Sequence, residues 1–188
     1  MEITNLISFI ENYTSISDEI KERLTEMGIV KNFKKNEIIV KEGITCKYLY
    51  FSLSGTVRSF YYLDGKDITN WIYPEQSFFT SWHSYLAQQP SKESVQAISQ
   101  NKVIAISFNN WESLCKEYNE INTFLRLLFA EHLASIDDFY KGYYFLTAKE
   151  KYSLLLSVFP EIILTSNLGY IASMLGISQE TLSRIRRG

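Results

Sequence analysis

Three arginines, Arg184, Arg186 and Arg187, crowd the last turn of the stretch "YIASMLGISQETLSRIRR". A guanidinium grips a phosphate or a guanine edge through two parallel hydrogen bonds. Just before them come Ser178, Gln179, Glu180, Thr181 and Ser183. Glutamine recognises adenine and glutamate accepts from the cytosine amino group, so the set has the chemistry to read duplex DNA in its major groove. That chemistry requires one rod to present these groups on one face.

The preceding residues are of the kinds that would build such a rod. Ala172 supplies the small residue that lets two helices approach, and Gly176 suits a left-handed turn between them. Ile171, Leu175, Ile177, Leu182 and Ile185 supply apolar anchors, and Ser178 is a good N-cap with Thr181 three residues on. With that inner face assigned, Gln179, Glu180, Ser183 and Arg184 project outward near the helix N-terminus. Arg186 and Arg187 lie at the far end and suit phosphates or the helix dipole. The alternative is a structural helical hairpin with a solvated polar face.

A second constellation lies in "PEQSFFTSWHSYLAQQPSKESVQA". Phe78, Phe79, Trp82, His83 and Tyr85 offer aromatic surface with a few polar tips, as small-molecule sites do. Phe78, Trp82, His83 and Lys92 are the ligand-binding candidates, with ordinary core packing as the competing reading. Other chemistries lack their residues. His83 and His132 are the only histidines and show no HxH spacing, so a metal-dependent cupin is not expected. Cys46 and Cys115 lie far apart and outside CxxC spacing, which disfavours a zinc knuckle, an iron–sulfur cluster and a disulfide framework. Ser81 and Ser84 beside His83 lack a nucleophile elbow. The expectation is no enzyme, no metal and no cofactor.

The 188 residues carry a formal charge of −2, with 13 Tyr and 12 Phe, enough to bury one good core or a larger domain plus a small one. From Lys149 onward the net charge is +2, leaving −4 to the remainder, the asymmetry that local phosphate contact would use. The start "MEITNLISFIENY" lacks the basic opening and uninterrupted apolar run of a signal peptide. Arg126 and Glu131 interrupt the best candidate for a membrane span. A cytoplasmic protein without membrane contact is expected.

Along the chain, Leu6, Phe9, Ile10 and Tyr13 recur at helical spacing. A second helix follows, capped by Ser17, with Ile20, Leu24 and Met27 buried and Gly28 just past its end. From Ile29 to Ser107 short β-branched and aromatic runs are punctuated by Gly43, Gly55 and Gly65, which predicts an antiparallel roll, barrel or sandwich. "YYLDGKDIT" reads as a hairpin with a primed Asp-Gly turn. "NNWESLCKEY" returns to helix. "INTFLRLLFAEHLASIDDFYKGYYFL" is the longest helical pattern, with a seam of Ile121, Leu125, Leu128, His132, Ile136 or Ser135, Phe139 and Tyr143. Leu127, Phe129 and Leu133 widen it, so that one face can cover the roll while the other pairs with a second copy. "TAKEKY", beginning at Thr147, resembles a helix start and opens a third region, and "EIILTSN" bridges to the final helices with room for a short strand.

The words "KNEIIVKEG", "YLYFSLSGTVRSFYYLDGKDIT" and above all "YIASMLGISQETLSRIRR" resemble the Crp/Fnr family of bacterial transcription regulators, and the last resembles its Bacteroidetes-type branch. The resemblance implies an α+β protein. An N-terminal antiparallel, jelly-roll-like, cyclic-nucleotide-binding-like sensor would span residues 1–118. A long dimerisation helix would span 119–146, pairing through 121–143, and a helix-turn-helix head of winged-helix type 147–188. It also implies double-stranded DNA, a second copy and RNA polymerase as partners, together with an unidentified small-molecule effector. By the same resemblance Gln179, Glu180, Ser183 and Arg184 occupy base-contacting positions. Two departures stand out. Where family members that bind cyclic nucleotides have a glutamate and an Arg-Ser pair, this chain has Ser81 and Ser91-Lys92, so cyclic AMP is not expected. The sequence stops at Gly188, so a wing would come from "EIILTSN" or be reduced. The rival to a DNA-reading regulator is a metabolite-binding or protein-interaction module with a degenerate head.

Overall fold

The computed structural model describes residues 2–187, with positions 142 and 143 described by backbone alone. Two helices open the chain, α1 (Glu2–Glu11) and α2 (Asp18–Met27), burying Leu6, Ile10, Ile20 and Leu24. Ser17 caps α2 by accepting from the Ile20 N–H at 3.3 Å. Gly28 is not in the left-handed conformation of a glycine stop. Its φ is −78°, and its role is steric: a Cβ there would lie 2.8 Å from Ile3 Cδ1.

Eight strands follow: β1 (Ile29–Phe33), β2 (Ile38–Val40), β3 (Tyr48–Ser54), β4 (Val57–Leu63), β5 (Lys66–Tyr73), β6 (Phe78–Phe79), β7 (Ser94–Ala97) and β8 (Asn101–Ser107). They form two antiparallel sheets, in the orders β1-β8-β3-β6 and β2-β7-β4-β5, facing each other as a roll. The β4–β5 hairpin turns at Asp64 and Gly65 with φ of 51° and 75°, the positive pair a primed turn requires. A short helix, α3 (Trp82–Ala87), interrupts the roll between β6 and β7.

Two further helices close the roll: α4 (Phe108–Glu117), capped by Ser107, and α5 (Asn119–Phe145). Trp111, Ile121, Phe124 and Leu128 join Phe51, Phe78 and Phe79 in one core. The first half of the expected seam therefore faces the chain's own roll, and Phe124, absent from that seam, is wholly buried. Among the exposed apolar side chains of α5, Ala130, Leu133, Tyr140 and Tyr144 form a stripe rotated around the helix, with Ala134 and Phe145 also exposed. The side chain of Tyr143, expected on the seam, lies outside the described residues.

The rest is helical: α6 (Ala148–Val158), α7 (Ile162–Thr165), α8 (Leu168–Met174) and α9 (Gln179–Arg187). Thr147 and Glu150 form a reciprocal capping box at the start of α6. "EIILTSN" forms the single turn of α7 rather than a strand, and no strand follows Ser107 among the described residues. These helices gather a second core of Tyr152, Leu155, Ile162, Ile171, Ala172, Met174, Leu175 and Leu182, which also takes in Ile72 and Ile98 of the roll. Among the described residues, no helix is long and apolar enough to cross a membrane.

Candidate nucleic-acid interface

The α8–α9 pair is set by the turn between its helices. Gly176 sits at φ 65°, its N–H donates to Ser173 O at 3.0 Å, and the Ile177 N–H donates to Ala172 O at 3.0 Å. A residue with a Cβ would be strained at that φ, and these bonds satisfy the last carbonyls of α8. Ser178 then caps α9, its Oγ accepting from the Thr181 N–H at 3.1 Å. Leu182, with none of its surface exposed, anchors the inner face of α9, and Ile185 packs beside it.

That anchoring turns the other side chains outward. Gln179, Glu180, Ser183, Arg184 and Arg187 border one open, shallow face. All are exposed except Ser183, which is half-buried. Ser178 and Thr181 spend their polar groups on each other, with hydroxyls 2.9 Å apart. Arg186 is exposed outside the group of five. Among the described residues no carboxylate forms an ion pair with Arg184, Arg186 or Arg187. The face therefore offers two uncompensated cations, a carboxamide, a carboxylate and a hydroxyl, with Arg186 as a third cation outside it.

The four ligand candidates are not gathered into one site. Phe78 is in the roll core, with its ring centroid 5.5 Å from that of Phe9 and 5.7 Å from that of Phe124. His83 and Lys92 are exposed. Trp82 shares a small recess of 180 Å³ with Phe78 and alone of the four lines the larger cleft; its Nε1 donates to Tyr73 Oη at 3.1 Å and its ring centroid lies 4.4 Å from that of His132. Ser81 and Ser91 are buried and bonded to each other at 2.8 Å. Behind them lies Glu93, whose carboxyl is pushed up by burial and held back by the Asn70 carboxamide, which donates to it at 3.1 Å.

Sequence reasoning missed the junction between roll and head. Arg58 of β4 is 2% exposed. It binds both Asp67 oxygens at 2.6 and 2.7 Å, Thr69 Oγ1 at 3.0 Å and Gln96 Oε1 at 2.9 Å. Its guanidinium is sandwiched between the rings of Phe60, at 4.1 Å, and Tyr170 of α8, at 3.8 Å. Beside it, Ser173 Oγ accepts from the Thr69 N–H at 2.9 Å and faces Asp67 O at 3.5 Å. A serine of α8 thus supplies the bonds a neighbouring strand would make along β5. A lone arginine inside the aromatic run "VRSFYY" was the available signal that something must pair there.

The family model described as "Cyclic nucleotide-binding domain" matches residues 30–118. No curated protein sequence matches the chain. Among solved structures the chain is similar to FixK2 from Bradyrhizobium japonicum, at 20% identity and TM-score 0.75, covering 85% of this chain and 83% of that one. It is also similar to a putative transcriptional regulator of the Crp/Fnr family from Eubacterium rectale, at 18% identity and TM-score 0.71, covering 96% and 86%. The c-di-GMP responsive global regulator CLP of Xanthomonas campestris is similar at 13% identity and TM-score 0.70, covering 91% and 90%. At these identities the likeness is one of fold: the chain holds a cyclic nucleotide-binding domain fold at residues 30–118, within an architecture shared with Crp/Fnr-type regulators.

Proposed function

We propose that the protein is a sequence-specific, non-enzymatic transcription regulator of the Crp/Fnr type, of the Bacteroidetes-like branch its final helices resemble. It acts in the cytoplasm as a homodimer. Residues 1–118 are the sensor, 119–146 the connecting and dimerising helix, and 147–188 a helix-turn-helix head. The observation that carries this reading is the outward face of α9, where Gln179, Glu180, Ser183, Arg184 and Arg187 stand together. Charged and hydrogen-bonding groups in that arrangement fit base edges and phosphates of duplex DNA.

Two such heads would read a near-palindromic site with half-sites about 34 Å apart. The exposed stripe of Ala130, Leu133, Tyr140 and Tyr144 on α5 is the surface on which the copies would meet. RNA polymerase is the partner a bound regulator would address. Cyclic AMP is not the effector of this reading. The planar, two-pronged anion contact of an arginine is missing from the stretch that holds Ser81, Ser91 and Lys92, and the two serines are bonded to each other.

Selection of bound duplexes from a random pool tests the proposal. An enriched near-palindrome is expected. Arg184→Ala should then weaken binding to it by about 1–3 kcal/mol, with specificity relaxed at one base pair of each half-site. Recovery of no motif, or equal binding by the variant, would remove the base-reading assignment.

A further inference from the structure

Roll, long helix and head enclose a cleft of 340 Å³, large enough for a small metabolite. Asn70, Trp71 and Tyr73 of β5 form one wall, with Tyr61 of β4 and Trp82 of α3 beside them. His132, Phe139 and Tyr140 come from α5, and Ser173 and Met174 from α8. The cleft is separate from the Ser81–Ser91 pair, since neither serine lines it.

We propose that this cleft binds an organic cation, an ammonium group bearing apolar substituents, and is the effector site of the regulator. Its lining supplies the aromatic rings of Trp71, Trp82, Tyr61, Phe139 and Tyr140, whose quadrupoles can attract a cation. No lysine or arginine is part of that lining. His132 is kept neutral by burial, which lowers its pKa. Glu93 stands one side chain behind the wall, bonded to Asn70 Nδ2 at 3.1 Å. Among the described residues no lysine or arginine pairs with it, so its ionised form is left to attract a ligand cation and repel an anion, and a cation in the cleft would offset the burial that disfavours that form. Arg58, the nearby cation of β4, is already held by Asp67. The inference rests on the regulator reading for its purpose, because Ser173 and Met174 belong to the head. A ligand touching all three bodies favours whichever head arrangement fits it better.

The test titrates the full chain, without DNA, with choline as a quaternary ammonium probe, following tryptophan fluorescence and heat. Saturable quenching is expected. The uncharged carbon isostere of choline, with carbon in place of nitrogen, should bind roughly tenfold more weakly. Glu93→Gln, close in shape and checked for folding by circular dichroism, should lose a similar factor for choline and none for the isostere. Tighter binding of cyclic AMP, equal binding of the isostere, or no saturable signal would overturn the proposal. The last result is also what a second copy's α5 filling the cleft would give. Choline binding with no duplex motif recovered would instead leave the cleft standing and remove the regulator reading.

Discussion

Arginine is used in opposite ways at the two ends of this molecule. Arg58 is buried, with a bidentate carboxylate, two further acceptors and a ring on each side. Arg184, Arg186 and Arg187 lie on the surface without an ion-pair partner among the described residues. A buried guanidinium must have its charge and all its donors met, or burial is too costly. An exposed one keeps its hydration and its donors until a ligand replaces the water. The first ties roll and C-terminal helices together, and the second is left free to meet an anion.

The largest effect that would break this contrast is on stability. Arg58→Ala should destabilise the protein by about 3 kcal/mol in urea unfolding. That is the low end of the range for splitting a buried pair, because the Asp67 side chain is 37% exposed and can rehydrate. It should also free the head, seen as faster proteolysis between α6 and α8. Arg184→Ala should do the reverse, leaving stability within about 0.5 kcal/mol while lowering duplex affinity. Equal stability losses in the two variants would erase the distinction. The phosphate part of binding should appear as affinity falling steeply with salt, with a shallower slope after Arg187→Ala.

Ser173→Ala sharpens the comparison at the neutral end of the same junction. Losing one uncharged hydrogen bond should cost about 1 kcal/mol and speed hydrogen exchange at the Thr69 amide. The smallest effect concerns Glu93, whose carboxyl is raised by burial from its ordinary 4.5. The folded state then holds its proton more tightly than the unfolded one, so stability falls as pH rises from the unfolded value through the raised one. Glu93→Gln should remove that decline, so its urea midpoint gains on the native protein over this window and runs parallel above it.

Much of the fold was legible because its signals are local. Asp64-Gly65 marked the hairpin, Ser17 and Thr147 marked helix starts, and Ala172, Gly176 and Leu182 marked the final pair of helices. The outward set on α9 followed from its inward set by helical geometry. What failed was non-local. Which face of α5 meets the roll depends on Phe124 packing against Phe78 and Trp111, contacts between residues far apart in the chain. The ligand candidates were chosen by neighbourhood in sequence, yet helix α3 carries Trp82 inward and His83 outward. The Arg58–Tyr170 and Thr69–Ser173 contacts span more than a hundred residues, beyond any periodicity.

The serine bridge at the margin of the second sheet has one more consequence. β5 is the outermost strand of its sheet, and Ser173 occupies the amide that would otherwise invite another chain. Swinging the head away for any purpose uncovers a sticky backbone border. Head movement and self-association are therefore linked, and a variant that lets the head swing freely should also be the one that precipitates.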